Sequence, residues 1–432
     1  MADAQGTALR HAVRLVPTAY LVAILIGAIV LSLPICRTGV GSASPGLAGL
    51  FTAVSGICVT GLATVDIATY YSGVGHVVIV LLISLGGLGI MTLASLLALL
   101  VRGRIRLQDT LVAQTDSHAI NVGDVRRVVT RVVLLIVSIE LVIALALGLR
   151  FVLGYGYGVT RGLWHGLFHS VTAVNNVGYS LNSDNIMSFV GDAWICFPIC
   201  AGIIAGGLGY PVYFELRRAW RRPSTWSVHT RLTVYGTVVL LAIGIVGFAL
   251  FEWTNTRTLG PMDGWTKAVA SVTGGVVPRT GGYNSIDYAN ATAETKVMYA
   301  ALMFIGGGSA GIAGGIKVTT FFVLAFVIWA EVRGEPDVTI AHRSIPARTQ
   351  RQALTVALLA VGAVVSGTIA LVILTDNALE DLVFEAISAF STVGLTTGVT
   401  PTLPPAGQAV DMILMFIGRV GTVTALSALA IR

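Results

Sequence analysis

The chain has 432 residues, of which 55% are hydrophobic and only 11% charged, with a mean hydropathy of +0.83. A soluble domain of this length needs far more surface charge, so the composition excludes a water-soluble enzyme or binding module and points to an integral membrane protein. Fifty glycines against 13 prolines exclude a collagen-like or disordered chain, and suit helices that pack closely or backbone that lines a cavity.

Arg10 and Arg14 precede "AYLVAILIGAIVLSL". This run is long for a signal peptide and lacks a clear cleavage pattern, so it reads as a first membrane helix that starts in the cytoplasm. Spanning segments of roughly 20 residues, the length a bilayer demands, are expected near 17–36, 75–101, 130–153, 191–214, 232–252, 297–330 (interrupted), 352–375 and 408–430. Within each successive pair lies a shorter semi-apolar stretch, at 46–60, 162–177, 264–279 and 379–392. These are too short to cross and have the size of re-entrant segments. The predicted organisation is spanning helix, short helix, turn, spanning helix, repeated with a period of about 108 residues, a quarter of the chain.

The four turns read "CVTGLATVD" (58–66), "NNVGYSLNSD" (175–184), "RTGGYNSID" (279–287) and "STVGLTTGVTP" (391–401). Each places glycine directly before Leu or Tyr: Gly61-Leu62, Gly178-Tyr179, Gly282-Tyr283 and Gly394-Leu395. One such tetrapeptide is an ordinary helix-end turn; four in register are a pattern. A dehydrated cation needs oxygen ligands, and backbone carbonyls supply them without a net charge that would trap the ion. Glycine serves where φ is positive and where no side chain can enter the conduit. The expected oxygen-bearing stretches are Val59, Thr60, Gly61 and Leu62; Asn176, Val177, Gly178 and Tyr179; Thr280, Gly281, Gly282 and Tyr283; and Thr392, Val393, Gly394 and Leu395.

"IGGGSAGIAGGIK" (305–317) puts six glycines into what should be the middle of a spanning helix. Each weakens a helix by up to about 1 kcal/mol relative to Ala, so the stretch should unwind. Lys317 and Arg419 are the basic residues expected inside spanning segments, and an intramembrane charge is functional by default. Arg419 is expected to reach towards the axis and hold this loop through backbone carbonyls; snorkelling to an interface is the plain alternative for either side chain.

With the N-terminus inside, eighteen of the 27 Lys and Arg residues fall on cytoplasmic segments and seven outside, Arg279 among the latter. This asymmetry puts both termini in the cytoplasm and accounts for the net charge of +6 without a nucleic-acid partner. His165 and His169, one turn apart, have metal-ligand spacing but no third ligand, so packing around the turn is favoured. Cys196 and Cys200 read as small buried side chains rather than a metal site or disulfide. Asp66, Asp184, Asp287 and Glu385 either concentrate cations electrostatically or cap turns. Ser117 and Asp124 look like helix caps in a loop between units. Glu140 and Glu252 stand alone near helix ends, so no acid–base pair for an intramembrane enzyme is apparent. An alternating-access secondary cation carrier, a K+/Na+ or K+/H+ symporter, is the rival reading. Carriers commonly carry two inverted repeats, whereas four repeats of one polarity are counted here.

On "VTGLATVD", "FHSVTAVNNVGYSL" (168–181), "RTGGYNSID", "FEAISAFSTVGLTTGVTP" (384–401), "GGSAGIAGGIKVTT" (307–320) and "FIGRVG" (416–421), nearly the whole chain resembles the Trk/Ktr/HKT superfamily of K+ transporters, most closely the Ktr-type membrane subunit. The resemblance implies an all-α integral membrane fold of four M1–P–M2 units around one pseudo-four-fold pore. The units are expected at 1–107, 108–222, 223–340 and 341–432. It implies a K+ selectivity filter at the four stretches above, K+ being the one metal expected, and no covalent cofactor. It implies a gate at 305–317 built from Gly306, Gly307, Gly308, Ser309, Gly311, Gly314, Gly315 and Lys317 with Arg419. It further implies activation by Na+, a cytosolic RCK-type nucleotide-binding regulatory ring as partner, and a homodimer of the membrane subunit in the plasma membrane. Two departures stand out: Pro278 and Gly281 in the third turn, and Ser309, Gly311 and Ile312 where the family more often has Pro, Ser and Thr.

Overall fold

The computed structural model describes residues 2–41, 43–88, 122–309, 311–340 and 343–421. The second half of the span expected over 75–101, the unit boundary at 107/108, the caps at Ser117, and the end of the span over 408–430 lie outside the described residues.

Fifteen α-helices are found among them. They are α1 (Ala2–Ser32), α2 (Pro45–Ile57), α3 (Ile67–Tyr70), α4 (Gly73–Gly87), α5 (Val122–Tyr155), α6 (Val159–Val174), α7 (Ala193–Leu208) and α8 (Tyr210–Ala219). The remainder are α9 (Val228–Glu252), α10 (Gly264–Val276), α11 (Ala293–Phe304), α12 (Val318–Arg333), α13 (Ala347–Leu374), α14 (Leu379–Phe390) and α15 (Pro405–Phe416). A π-turn, Ile417–Gly421, continues α15. A two-residue hairpin pairs Thr339–Ile340 with Arg343–Ser344.

Helix starts follow local chemistry. Ser72, Asp192, Ser227, Asp263 and Thr292 each accept a hydrogen bond from a free first-turn N–H, and Pro45 and Pro405 occupy first-turn positions where no N–H is needed. Gly334, with φ +66°, closes α12 in the left-handed region.

Among the described residues, three helices are long and apolar enough to cross a bilayer: Val129–Tyr155, Val228–Glu252 and Ala347–Leu374. Only 22–28% of their apolar windows is buried inside the protein, so most of that surface faces outward, as lipid contact requires. Pro17–Ser32 and Gly73–Gly87 are apolar but shorter. The span expected over 191–214 is not one helix. It breaks between α7 and α8 with a bend of 97°, at Gly209 with φ +85°.

The helices close into a ring. α1 packs on α2, α5 on α6, α9 on α10 and α13 on α14, so each longer helix backs a short one. α4 then packs on α6, α7 on α10, α11 on α14, and α15 returns to α2. The C-terminal halves of the short helices are buried at the centre of this ring, where Phe51, Phe168 and Phe390 anchor them. That burial drives the arrangement: the apolar interior holds four short helices whose ends have nowhere to go but inward.

Candidate functional site

Each short helix ends in the same backbone device. Val59 and Gly61, Asn176 and Gly178, Thr280 and Gly282, and Thr392 and Gly394 all have φ between 49° and 98°. Left-handed residues thus alternate with others along each stretch, which turns successive carbonyls to one side instead of opposite sides. The intervening N–H groups are tied back to the helix end: Thr60 to Ser55 O at 2.8 Å, Val177 to Thr172 O at 2.8 Å and Val393 to Ser388 O at 2.9 Å. In the third turn Gly281 donates to Val277 O at 2.7 Å. Among the described residues, nothing donates to the carbonyls of Val59, Thr60, Gly61, Asn176, Val177, Thr280, Gly281, Gly282, Thr392, Val393 or Gly394. The Leu62 and Gly178 carbonyls are engaged, accepting from the Tyr179 hydroxyl at 2.9 Å and Asn185 Nδ2 at 3.0 Å.

The four stretches meet. A Cβ added to Gly61 would collide with Val177 O, one on Gly178 with the Gly282 backbone, one on Gly282 with Val177 O, and one on Gly394 with Thr60 O. Asn176 Nδ2 donates to Thr280 Oγ1 at 3.0 Å, and the Tyr283 hydroxyl donates to His169 O at 2.9 Å, so neighbouring turns brace each other. Buried side-chain oxygens without a partner cluster on the same residues: Thr60 Oγ1, Asn176 Oδ1 and Thr392 Oγ1. An all-oxygen, uncharged lining of this kind fits a dehydrated monovalent cation.

The interrupted segment lies against these turns. It is no helix between α11 and α12; a single parallel bridge joins Ile305 to Ile316. A Cβ on Gly314 would strike Thr392 Oγ1 and Ser391 O, which sets the loop directly against the fourth turn. Gly308 N donates to Gly207 O at 2.8 Å and Ile312 N to Gly206 O at 3.0 Å. Gly307 and Gly311 also rest on Gly207, Gly306 rests on Gly314 O, and Gly315 has φ +65°. Ser309 and Thr319 share a hydrogen bond of 2.8 Å, and Lys317 Nζ donates to Ala313 O. Arg419, 6% exposed, donates from Nη1 to Ile312 O and from Nη2 to Gly86 O at 2.7 Å.

One basic residue does not sit where charge counting put it. Arg279 does not face the outside: it is 6% exposed, and its Nη2 donates to Gly306 O at 2.8 Å. The buried basic groups beside this loop are therefore three, not two. Glu140 and Glu252 are not alone either. Glu140 accepts from Asn175 Nδ2 at 2.7 Å. Glu252 gathers Asn255, Thr258, Thr292 and Thr295, tying the end of α9 to the start of α11.

Three glycines were given no role of their own by the sequence reading. Gly86, Gly206 and Gly418 each lie against the carbonyl of a residue at the end of a short helix: Ile57, Val174 and Phe390. Any side chain there would push a following helix off the short one. The signal was the repeated "GGLG" at 86–89 and 206–209, echoed by "GRVG" at 418–421. The same motif, followed by Tyr210-Pro211, announces the 97° bend.

The remaining candidates all make local hydrogen bonds or ring contacts. Asp66 caps α3 through Ala68 N, Asp184 accepts from Ser188 N at 3.0 Å, and Asp287 accepts from Ala289 N. Glu385 accepts from Thr396 at 2.7 Å and from Thr400. His169 bonds His165 O through Nδ1 and Ser180 Oγ through Nε2, at 2.7 and 2.9 Å, and the two rings stack. All four cysteines are free and buried.

A family model described as a cation transport protein, TrkH, matches residues 12–432. The chain is 40% identical over 405 residues to the Ktr system potassium uptake protein B of Bacillus subtilis (strain 168), covering 94% of this chain and 90% of that one. It is 34% identical over 413 residues to the protein of the same name from Vibrio alginolyticus, covering 95% and 90%. Its fold matches the crystal structure of the potassium transporter TrkH from Vibrio parahaemolyticus with a TM-score of 0.70 at 14% identity, over 95% of this chain and 84% of that one. The chain is a multi-pass membrane protein and not an enzyme. It belongs to the TrkH family of cation transport proteins, as a membrane subunit of the Ktr/Trk type.

Proposed function

We propose that this chain is the pore-forming membrane subunit of a K+ uptake system, conducting K+ through a filter of backbone carbonyls. The observation that carries this reading is the convergence of four turns in which eleven carbonyl oxygens accept no hydrogen bond among the described residues and whose glycines admit no side chain. Eleven unpaired carbonyls at the centre of a buried ring are costly unless an ion or water takes the place of donors. The names of the relatives supply the ion: both are potassium uptake proteins. In this reading the four helix–short helix–turn–helix stretches are M1–P–M2 units around one pseudo-four-fold pore.

The segment 305–317 is the gate. Its hydrogen bonds to Arg279, Arg419, Gly206 and Gly207 hold it across the inner side of the turns. Release of these bonds lets the glycine-rich loop swing aside. Na+ acts as activator, and a cytosolic RCK-type nucleotide-binding ring docks on the basic cytoplasmic surface to set the loop's position. The subunit works as a homodimer in the plasma membrane with both termini in the cytoplasm.

The test is ion flux into proteoliposomes containing the purified chain, under K+, Rb+, Na+ and Li+ gradients. Preference for K+ and Rb+ is expected. Gly61→Ser, which puts a side chain against Val177 O at a φ of +98°, should abolish that preference; equal Na+ and K+ flux in the wild type would reject the filter. Obligatory coupling to a counter-ion at carrier-like rates would reject the channel.

A further inference from the structure

α8 lies across the helix before it. The chain turns by 97° between α7 and α8, at Gly209, and the membrane-crossing helix α9 begins at Val228, shortly after α8 ends at Ala219. α8 and the corner that follows it thus sit at the level of a span's first turn, where bilayer gives way to water. One side of α8 is committed to the protein: Val212 is 0% exposed, and the Tyr213 hydroxyl donates to Ala205 O at 2.9 Å. Tyr210 and Phe214, with ring centroids 6.1 Å apart, share the opposite face with the exposed Arg217 and Arg218 by their helical spacing.

Residues 210–231 hold five arginines and a single carboxylate, Glu215. That carboxylate is occupied elsewhere: Oε1 accepts from Ser227 N at 2.5 Å, and Oε2 accepts from the Ser227 and Thr230 hydroxyls at 2.7 and 2.5 Å. Arg231 donates to Ser224 O at 2.5 Å. Arg217, Arg218, Arg221 and Arg222 are exposed and enter no ion pair among the described residues. Trp220 is 65% exposed and holds the Arg221 guanidinium over its ring, 4.9 Å from the centroid. Trp226 fixes the corner, donating from Nε1 to Ala219 O at 2.9 Å.

Four unpaired cations beside aromatic rings, at the depth where a span starts, match the headgroup region of a bilayer. Fixed positive charge there attracts anionic lipid, and the planar fork of arginine meets two oxygens of a phosphodiester. We propose that α8 and the corner at 220–222 form a docking surface for anionic lipid headgroups of the phosphatidylglycerol type. The arginines take the phosphate, and Trp220 enters the interface beside it. In the orientation proposed above this is the cytoplasmic leaflet. The surface also bears on the interrupted segment. Gly206 O and Gly207 O, in the last turn of α7, accept from Ile312 N and Gly308 N, and a Cβ on Gly311 would stand 3.1 Å from Gly209 N. Lipid that pins α8 therefore steadies the seat of that loop. This last consequence rests on the gating reading; the lipid surface does not.

Fluorescence quenching by brominated lipid tests the proposal, with the full chain in phosphatidylcholine vesicles carrying increasing dibrominated phosphatidylglycerol or dibrominated phosphatidylcholine. Each protein is read against its own Trp220→Phe counterpart, which isolates Trp220 from the other six tryptophans. Half-quenching is expected at a mole fraction of the anionic lipid roughly fivefold below that of the zwitterionic one. The gap should close in about 1 M NaCl, where the Debye length is about 3 Å. Arg217→Gln, Arg218→Gln, Arg221→Gln and Arg222→Gln combined should remove the gap at low salt and leave quenching by the zwitterionic lipid. The idea fails if the two lipids quench the wild type alike or if the fourfold variant keeps the preference. It also fails if sodium phosphate removes the preference at an ionic strength where NaCl does not, which would make the ligand free phosphate. Absence of quenching by either lipid would put Trp220 in water and leave this surface to a protein partner. Should the fourfold variant not fold, Arg217→Gln with Arg218→Gln decides on the same readout, with a smaller gap expected than in the wild type. No arm depends on ion flux, so failure here leaves the K+ filter standing, and failure of the filter leaves this surface.

Discussion

Three of the four first positions in the turns are β-branched residues held left-handed: Val59 at φ 59°, Thr280 at 63° and Thr392 at 49°. Such a conformation costs roughly 1–2 kcal/mol per residue and survives only where surrounding structure enforces it. Here the following N–H, pinned to its own helix end, does so. Sequence logic runs against these positions, since β-branched residues argue for extended backbone, whereas the glycines two places later announce themselves. The turns were therefore legible by their glycines and hidden in their handedness. Arg279 was misread for a related reason: counting charges by loop assigns a side to the backbone, not to a long side chain that doubles back beneath it. Arg419 gives a sharp test at this scale. Arg419→Ala removes two donors from Ile312 O and Gly86 O. The expected outcome is a K+ leak at least tenfold above wild type in liposomes lacking any regulatory subunit, with ion preference retained. Unchanged flux would remove Arg419 from the proposed gate.

At the scale of elements, the short helices matter more for where they stop than for how they form. α10 shows how such a helix is fixed at its start. Asp263 caps it, and hydrogen bonds from the Thr266 side chain and backbone and from Trp265 N hold its carboxyl below the usual aspartate range. A carboxylate favoured in the folded state stabilises above its unfolded pKa of about 3.9 and loses that contribution as pH falls through the lower folded value. Asp263→Asn should lower the thermal unfolding temperature at pH 7 and leave the two proteins alike near pH 2, read by tryptophan fluorescence across a pH series. An unchanged difference from pH 7 to pH 2 would mean the carboxylate is not what caps the helix. The α7–α8 bend was hidden from hydropathy and marked only by the Gly-Gly-Leu-Gly-Tyr-Pro run, because apolar composition runs on through Gly209 while the backbone does not. Hydropathy reads what a segment is made of, and a bend is a matter of what it packs against.

Taken whole, the molecule wears its solvent on its surface. Val142 at the middle of the Val129–Tyr155 span is 70% exposed, Leu250 71% and Ile373 77%, values that make sense only against hydrocarbon. Val142→Arg should disfavour insertion of that span by about 3 kcal/mol, seen as loss of the protein from the membrane fraction. Full retention of the variant there would show that this face is not lipid-exposed. That the chain is a mostly helical, multi-pass membrane protein was readable from composition, because the apolar fraction reports burial on a large scale. The closing contact of α15 on α2 was not, since it joins opposite ends of the chain and leaves no local trace.

The four turns are stretches of a single polypeptide, and that has a hereditary consequence. In a ring of identical subunits one codon change rewrites every wall of the central site together. Here a codon change at Thr392 leaves the walls at Val59, Asn176 and Thr280 as they were. Selection therefore meets this site one quarter at a time, and each step is a distinct protein that must survive in its own right.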